Sequence, residues 1–183
     1  MELTPQRMDH ARKNFNILIA MLEQRKLKYS IEENRQDFSH VRIRFTGEDL
    51  PMDLHLLFRP ERQMVSLYSP MPFTVPAGRS ADMAVAVAAA NHGLADGSFD
   101  FDHKEGALRF RMTAPFMETT LSADLFEYLL YVAADTIDRY NDRFLALSEG
   151  KMTLMDFLHA DEQRTAQSKK ESDTMEKQSC ENI

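Results

Sequence analysis

The sequence predicts an α+β protein in which an antiparallel sheet packs against helices, in the order α-βββ(β)-α-ββ-α. Three features indicate this class. Apolar residues repeat at helical spacing near the N-terminus and again in a longer segment after residue 122. Between these segments, short stretches alternate apolar and polar side chains, and Gly and Pro residues separate them. Alternation is typical of strands that bury one face, and helical spacing is typical of amphipathic helices.

The first half of the chain is predicted to form one helix and an antiparallel meander. The spacing of its apolar residues places the first helix at about Asp9 to Gln24. Three or four short strands follow, each with polar residues between apolar ones, which indicates a sheet with one solvated side. The strand segments lie around residues 29–31, 41–46, 52–59 and 65–67.

Residues 70–78 are predicted to interrupt the sheet. Proline has no backbone N–H, so we expect no regular strand ladder to continue through this segment. Its turn-forming residues are Pro70, Pro72, Pro76 and Gly78. Ser80 is the predicted N-cap of a second helix that ends near His92, and Gly93 is its predicted left-handed C-cap.

The second half is predicted to form a hairpin and a long helix. Residues 99–102 and 108–112 alternate, and the opposed charges between their apolar residues suit cross-strand pairing. Ser122 is the predicted N-cap of the last long helix, which ends at Gly150, and a short helix follows around Met152 to Leu158. The predicted organisation is one domain over residues 5–158 and a disordered polar tail over residues 159–183.

The segment from Met71 to Tyr140 carries a family resemblance. The matching residues are Phe73, Val75-Pro76, Asn91, Gly97-Ser98-Phe99, Gly106 to Arg111, and Leu121-Ser122. Together with the order of elements, they resemble the YbjN-like family, whose fold is that of the type III secretion chaperones. The resemblance implies an α+β sandwich, often dimeric, that binds protein segments or regulates rather than catalyses. The family has no agreed active site, so no catalytic residues are carried over.

Composition narrows the classes of partner. The 183 residues carry a formal net charge of −7, which argues against nucleic acid or an anionic membrane as a partner, because both attract clustered Lys and Arg. The single cysteine, Cys180, supports no disulfide framework. The first ten residues contain no apolar signal segment, so a cytoplasmic location is expected.

The polar residues predict no catalytic, cofactor or metal site. Asp53 and His55 share a strand face without a third ligand, and we interpret them as surface residues. Asp135, Asp138 and Asp142 share one helix with interleaved arginines, which indicates a salt-bridged face rather than a cation site. We therefore expect a protein that is not an enzyme and binds no cofactor.

The best candidate site is apolar. Met71, Phe73 and Val75 lie among prolines, and Phe116 and Met117 link the hairpin to the last helix. If these two segments border one another, they form a groove for a protein partner; the alternative is that they plug one end of the core. The predicted function is a non-enzymatic, chaperone-like or regulatory protein that binds a protein partner as a homodimer. A small-ligand or signal-sensing module with an enclosed apolar pocket is the alternative.

Overall fold

The computed structural model describes residues 3–47 and 50–163. Its helices are α1 (Pro5–Gln24), α2 (Ser80–His92), α3 (Ala123–Ser148) and α4 (154–163). Its strands are β1 (Tyr29–Asn34), β2 (Ser39–Thr46), β3 (Pro51–Arg59), β4 (Met64–Thr74), β5 (Ser98–Asp102) and β6 (Ala107–Pro115). Short 3-10 turns precede β4 and α2. The predicted α+β class is confirmed, with four strands before α2.

The six strands form one antiparallel sheet in the order β1-β2-β3-β4-β6-β5. The first four strands pair as consecutive hairpins. After β4 the chain crosses through α2, enters the far edge of the sheet as β5, and returns as β6 between β5 and β4. The predicted hairpin of β5 and β6 therefore joins the meander into one sheet.

One face of the sheet is buried against the helices. In β6, buried and exposed residues alternate along the whole strand, as the sequence pattern predicts. The ring of Phe58 in β3 contacts Phe15 of α1 and Phe126 of α3, with ring centroids 5.7 and 6.1 Å apart. Because α1 and α3 both cover this face, the opposite face of the sheet carries the polar residues of each strand.

The structure corrects the predicted interruption at residues 70–78, because β4 continues to Thr74. Pro70 pairs with Arg109 and Thr74 pairs with Ala107, so β4 accommodates two extra residues in a bulge between them. The pairing of β4 with β3 ends at Tyr68. The proline segment therefore lies where β4 has a partner on only one side, and the missing N–H groups cost few ladder hydrogen bonds.

The helix ends confirm one predicted cap and correct two. The side chain of Ser122 accepts a hydrogen bond from the N–H of Leu125 (3.1 Å), as predicted for the N-cap of α3. Ser80 is instead the first residue of α2, because a 3-10 turn runs directly into the helix and leaves Arg79 at the cap position. Gly93 has φ −93° and is not left-handed, since the chain turns through an ordinary right-handed conformation.

The C-terminal helix corrects the start of the predicted tail. Gly150, with φ 74°, ends α3, and α4 then occupies residues 154–163 instead of ending at Leu158. The last described turn of α4 is attached to α3, because the Tyr140 hydroxyl donates a hydrogen bond to the buried Asp161 carboxylate (2.8 Å). Residues 159–163 are therefore helical, and residues 164–183 lie outside the described residues.

Candidate functional site

The five predicted partner-binding residues do not form one groove. Strand β4 runs antiparallel to β6, and Met64 pairs with Pro115 at one end while Thr74 pairs with Ala107 at the other. Phe116 and Met117 follow the first end, and Met71, Phe73 and Val75 lie at the second. The length of β4 separates the two groups by roughly 30 Å, at about 3.3 Å per strand residue.

Burial further divides these five residues. Met71, Val75 and Phe116 are buried, and Phe73 is partly buried against the core. Met117 is 64% exposed and has a left-handed backbone (φ 34°). Three of the five side chains therefore fill the protein interior, and Met117 has the largest free surface.

A different element, the end of β6, leaves its backbone unpaired on one side. The ladder between β5 and β6 ends at the pair Ser98–Arg111, whereas β4 continues to pair with β6 as far as Pro115. Within the described residues, Met112–Pro115 therefore have a neighbouring strand only on the β4 side. We call this segment the open edge.

The hydrogen-bonding direction of the open edge follows from the strand alternation. The N–H of Phe116 donates to the carbonyl of Gln63, on the β4 side (2.9 Å). Backbone groups of successive strand residues point to opposite sides, so those of Thr113 point away from β4. The N–H and C=O of Thr113 and the C=O of Pro115 are thus directed toward the open side.

A cleft of about 480 Å³ lies beside the open edge. One wall is β6, and the other is the first turns of α3. Its lining residues are Asp96, Gly97, Ser98, Arg111, Met112, Thr113, Ala114, Pro115, Leu125, Tyr128 and Leu129. We call it the β6–α3 cleft. Met112, Ala114 and Leu129 are buried core residues, so the cleft meets the apolar interior at its base.

Two local features shape the cleft. Gly97 has φ 76°, and a Cβ atom at this position would overlap the Phe110 ring and the Met112 side chain. The absence of a side chain lets the loop before β5 pass directly over the core. At the rim, the Tyr128 hydroxyl donates to the Asp96 carboxylate (2.5 Å), which raises the pKa of Tyr128 and ties α3 to this loop.

The outer edge of β5, next to the open edge, is covered by a side chain. The amide nitrogen of Asn91 donates to the carbonyl of Phe99 (2.9 Å), and the amide oxygen of Asn91 accepts from the N–H of Phe99 (2.7 Å). One residue of α2 thereby takes the place of a neighbouring strand. This cover lies at Phe99, next to Ser98, where the pairing of β5 with β6 begins.

The polar candidates from the sequence lie elsewhere. Asp53 forms an ion pair with Arg44 across β2 and β3 (2.8 Å). His55 instead contacts His40, with 2.9 Å between ring nitrogens, and stacks on Tyr68. Burial and the neighbouring His40 charge lower the pKa of His55. Sequence alternation placed His55 on a strand face, but it did not predict the contact with His40.

Three further findings concern the described part of the chain. Asp135 and Arg139 form the predicted ion pair on α3. No group of three or more His, Cys, Asp or Glu residues there is arranged to hold a metal ion. No described helix combines the length and apolar character needed to cross a membrane.

The unequal lengths of two alternating stretches are the sequence signal that indicates the open edge. The alternating stretch that became β5 is shorter than the stretch that became β6. Unequal hairpin strands leave part of the longer one without a partner on that side. Asn91 belongs to the residues that carry the family resemblance, but its contact with Phe99 depends on how α2 lies on the sheet.

The architecture is that of the type III secretion chaperone-like α+β folds. The chain belongs to the YbjN family, described as "Putative bacterial sensory transduction regulator", whose family model matches residues 14–146. The crystal structure of YbjN from E. coli is similar, with a TM-score of 0.52 and 10% identity, over 74% of this chain and 92% of that chain.

A second similar structure comes from the HopA1–SchA chaperone–effector complex. Its TM-score is 0.50 with 11% identity, over 72% of this chain and 95% of that chain. At such identities, the similarity of both structures establishes the fold. No curated protein matches this chain by sequence.

Proposed function

We propose that this chain is a non-enzymatic regulatory or chaperone-like protein that binds an extended segment of a partner protein in the β6–α3 cleft. Membership of the YbjN family and the fold shared with a chain of a chaperone–effector complex support a protein-binding role. The observation that carries the proposal is the open edge at Met112–Pro115, which lies beside an apolar-based cleft.

Binding would proceed by strand addition. A partner segment placed beside Met112–Pro115 would continue the line of β5 and pair with the N–H and C=O of Thr113. Main-chain hydrogen bonds supply affinity in this mode, and alternate side chains of the bound strand supply specificity. Side chains that point inward would meet Leu125 and Leu129 of α3, which form the apolar wall of the cleft.

Of the five partner-binding residues predicted from the sequence, the proposal keeps only Met117 as a contact of the bound segment. Met117 follows the open edge by two residues and is exposed, so it is a proposed contact at the end of the bound segment. Phe73 keeps some exposed surface at the other end of β4, and a contact there requires a second binding surface. Met71, Val75 and Phe116 would act by supporting the fold beneath these surfaces.

The small-ligand alternative receives less support from the cavities. The larger cavities are open clefts at the surface, and the most enclosed of the depressions described, lined mostly by apolar side chains of α1, β2 and α3, has a volume of only about 170 Å³. Pockets for small organic ligands are typically 300–1,000 Å³. A partner segment bound along an exposed edge fits the described surface better than an enclosed ligand does.

The proposal includes a cytoplasmic location and a homodimer. The homodimer is tested separately by sedimentation velocity of the full chain over a hundredfold range of concentration. A single species with the mass of one chain at every concentration would exclude it. Strand addition at the open edge does not depend on the result, because all lining residues of the cleft come from one chain.

The docking mode is tested with a display library of random linear nonapeptides and three forms of the full chain. We expect the wild-type chain to enrich a family of peptides and Thr113→Pro to lose them, because proline removes the N–H that would pair with the peptide. Thr113→Val keeps this N–H and a β-branched side chain, so it is the matched control and should retain binding. Circular dichroism establishes that each variant is folded.

Two results would contradict this function. One is the absence of any enriched peptide with the folded wild-type chain. The other is a set of peptides that bind Thr113→Pro as tightly as Thr113→Val, which would show that binding does not use the open edge.

A further inference from the structure

We infer that the segment docked at the open edge alternates apolar and acidic residues, with the acidic residues on the outer face of the sheet. This inference rests on the proposed docking at the open edge and specifies the chemistry of the partner. It derives from the different surroundings of the two sides of Met112–Pro115: the β6–α3 cleft lies on one side, and an arginine-lined depression lies on the other.

The outer depression has a volume of about 660 Å³. Its charged lining residues are all basic: Arg59, Arg62, Arg109 and Arg111. Leu57, Met64 and Tyr68 contribute apolar surface between them. Arg111 and Thr113 line both this depression and the β6–α3 cleft, so the two surfaces meet along the open edge of β6.

The positive charge of the depression is only partly balanced. Arg109 and Arg111 share one carboxylate, that of Asp100, at 3.3 and 2.8 Å. Arg59 and Arg62 have no ion pair within the described residues. Four guanidinium groups therefore face one carboxylate, in a chain whose formal net charge is −7. Acidic side chains placed next to this depression would be attracted to it.

The inner side of the open edge favours apolar rather than acidic side chains. Its cleft is lined by Leu125 and Leu129 and by the buried Met112. Its charged lining residues are Arg111, whose guanidinium already pairs with Asp100, and Asp96. An acidic side chain directed inward would lose water against apolar groups and approach a second carboxylate. Both effects oppose binding.

Strand geometry and these two surroundings together predict a sequence pattern for the bound segment. Successive side chains of a strand point to opposite faces, so a segment paired with Thr113 presents alternate residues to the cleft and to the depression. A slip of one residue would exchange the two sets and place acidic groups inside. The preferred segment therefore has apolar residues at alternate positions and Asp or Glu between them.

An acidic polypeptide fits the depression better than a nucleic acid does. The rings of His55 and Tyr68 stack on each other at 4.8 Å with an interplanar angle of 11°. Those faces are thereby used within the sheet rather than offered to bases, which bind proteins largely by stacking on free aromatic faces. The apolar surface of Leu57 and Met64 among the arginines also suits protein side chains.

The test uses fluorescein-labelled synthetic peptides with identical Gly-Ser flanks and four central sequences. These are Val-Glu-Val-Glu-Val, Val-Gln-Val-Gln-Val, Val-Lys-Val-Lys-Val and the non-alternating Val-Val-Val-Glu-Glu. Fluorescence anisotropy with the full chain should give the tightest binding for the alternating Glu peptide. We expect it to bind about tenfold more tightly than the Gln peptide, and the Lys peptide to bind least, as charge complementarity at an interface requires.

Two charge reversals test the depression itself. Arg62→Glu reverses an exposed arginine of the depression, and Lys151→Glu makes the same change on an exposed lysine that does not line it. Arg62→Glu should remove the preference for Glu over Gln, and Lys151→Glu should retain it. Raising the salt concentration should also weaken the Glu peptide more than the Gln peptide.

Failure of this inference is distinguishable from failure of the proposed function. If Glu, Gln and Lys peptides bind equally and Thr113→Pro abolishes all of them, docking at the open edge stands and the acidic preference is wrong. If the non-alternating peptide binds as well as the alternating one, the pattern is wrong. If no peptide binds and the nonapeptide library gives no enrichment, both proposals are overturned.

Discussion

The sheet edge formed by β5 and the open edge of β6 are adjacent, yet their outward backbone groups differ in whether they have hydrogen-bond partners. The outward N–H and C=O of Phe99 in β5 are satisfied by one side chain, Asn91 of α2. The outward groups of Thr113 have no such cover in the described structure. Unprotected strand edges invite pairing with other chains, and proteins usually cover or charge them. Docking of a partner strand at Met112–Pro115, as proposed above, would account for this difference.

The two edges also differ in how the neighbouring helices, α2 and α3, contact them. Helix α2 lies against β5 and supplies Asn91, whereas the first turns of α3 form a wall of the cleft without closing over the edge of β6. The covered edge contributes hydrogen bonds to stability, whereas the open edge is the proposed binding surface. Substitutions at equivalent positions of the two edges should therefore affect different properties.

The largest expected effect on stability comes from a comparison of proline at Arg111 and at Thr113, two positions of β6 that are two residues apart. Arg111 pairs with Ser98 of β5, so Arg111→Pro removes a ladder hydrogen bond and should lower the free energy of unfolding by roughly 2–4 kcal/mol. Thr113→Pro removes an N–H on the open side and should cost about 1 kcal/mol or less. Urea denaturation measures both, and equal losses would show that the two positions do not differ in pairing.

The second prediction concerns the glycine at the junction of the two edges. Gly97→Ala should lower the free energy of unfolding by roughly 2–3 kcal/mol, because it combines a left-handed φ with overlap against Phe110 and Met112. Gly78→Ala is the matched control, since its added Cβ would meet nothing within 4 Å. A thermal melt in which both variants behave alike would contradict the close packing at Gly97.

The third prediction removes the cover of β5. Asn91→Ala leaves the N–H and C=O of Phe99 without their partner and should cost about 1–3 kcal/mol. Hydrogen exchange followed by NMR should show faster exchange of the Phe99 amide, while the amides of β6 that pair with β4 remain protected. The adjacent exposed residue provides the control, and His92→Ala should leave the Phe99 amide protected.

The smallest expected effect is at the rim of the cleft. The hydrogen bond to Asp96 raises the pKa of Tyr128, so its ionisation, followed by absorbance at alkaline pH, should occur above the ordinary tyrosine range. A raised folded-state pKa means that this contribution to stability is present below the unfolded pKa and is lost as the pH rises through the folded one. Tyr128→Phe should remove this component and leave the neutral-pH melt nearly unchanged.

A Tyr128 ionisation at or below the ordinary range would contradict the contact between α3 and the loop before β5. An Asp96→Asn variant provides the complementary measurement. It removes the carboxylate charge but keeps an acceptor, so the Tyr128 pKa should return toward its ordinary value.

The family and the order of elements were accessible from the sequence because both depend on local signals. Helical spacing in α1 and α3 and alternation in β2, β3 and β6 each involve residues close together in the chain. The N-cap at Ser122 is equally local. The interpretation of residues 70–78 failed because local chemistry alone was considered, and prolines are tolerated in β4 where its neighbour β3 has ended.

The candidate site was accessible only in part. Sequence reasoning predicted an apolar groove, but it combined Met71, Phe73 and Val75 with Phe116 and Met117, which the register of β4 and β6 separates. Their apolar character does not reveal burial, since a core residue and a binding residue look alike in a sequence. The pairing of His40 with His55 likewise depends on the β2–β3 register.

The sequence by itself determined the α+β class, the order of helices and strands, the buried faces of β2, β4 and β6, and the YbjN family. Only the tertiary structure decided that the pairing of β6 with β5 stops at Arg111, opposite Ser98, while β6 continues to Pro115 beside α3. It also decided that Asn91 covers the outward backbone groups of Phe99, whereas those of Thr113 have no such cover in the described structure. The physical reason is that periodicity depends on neighbours in the chain, whereas strand register and edge coverage depend on contacts between distant segments.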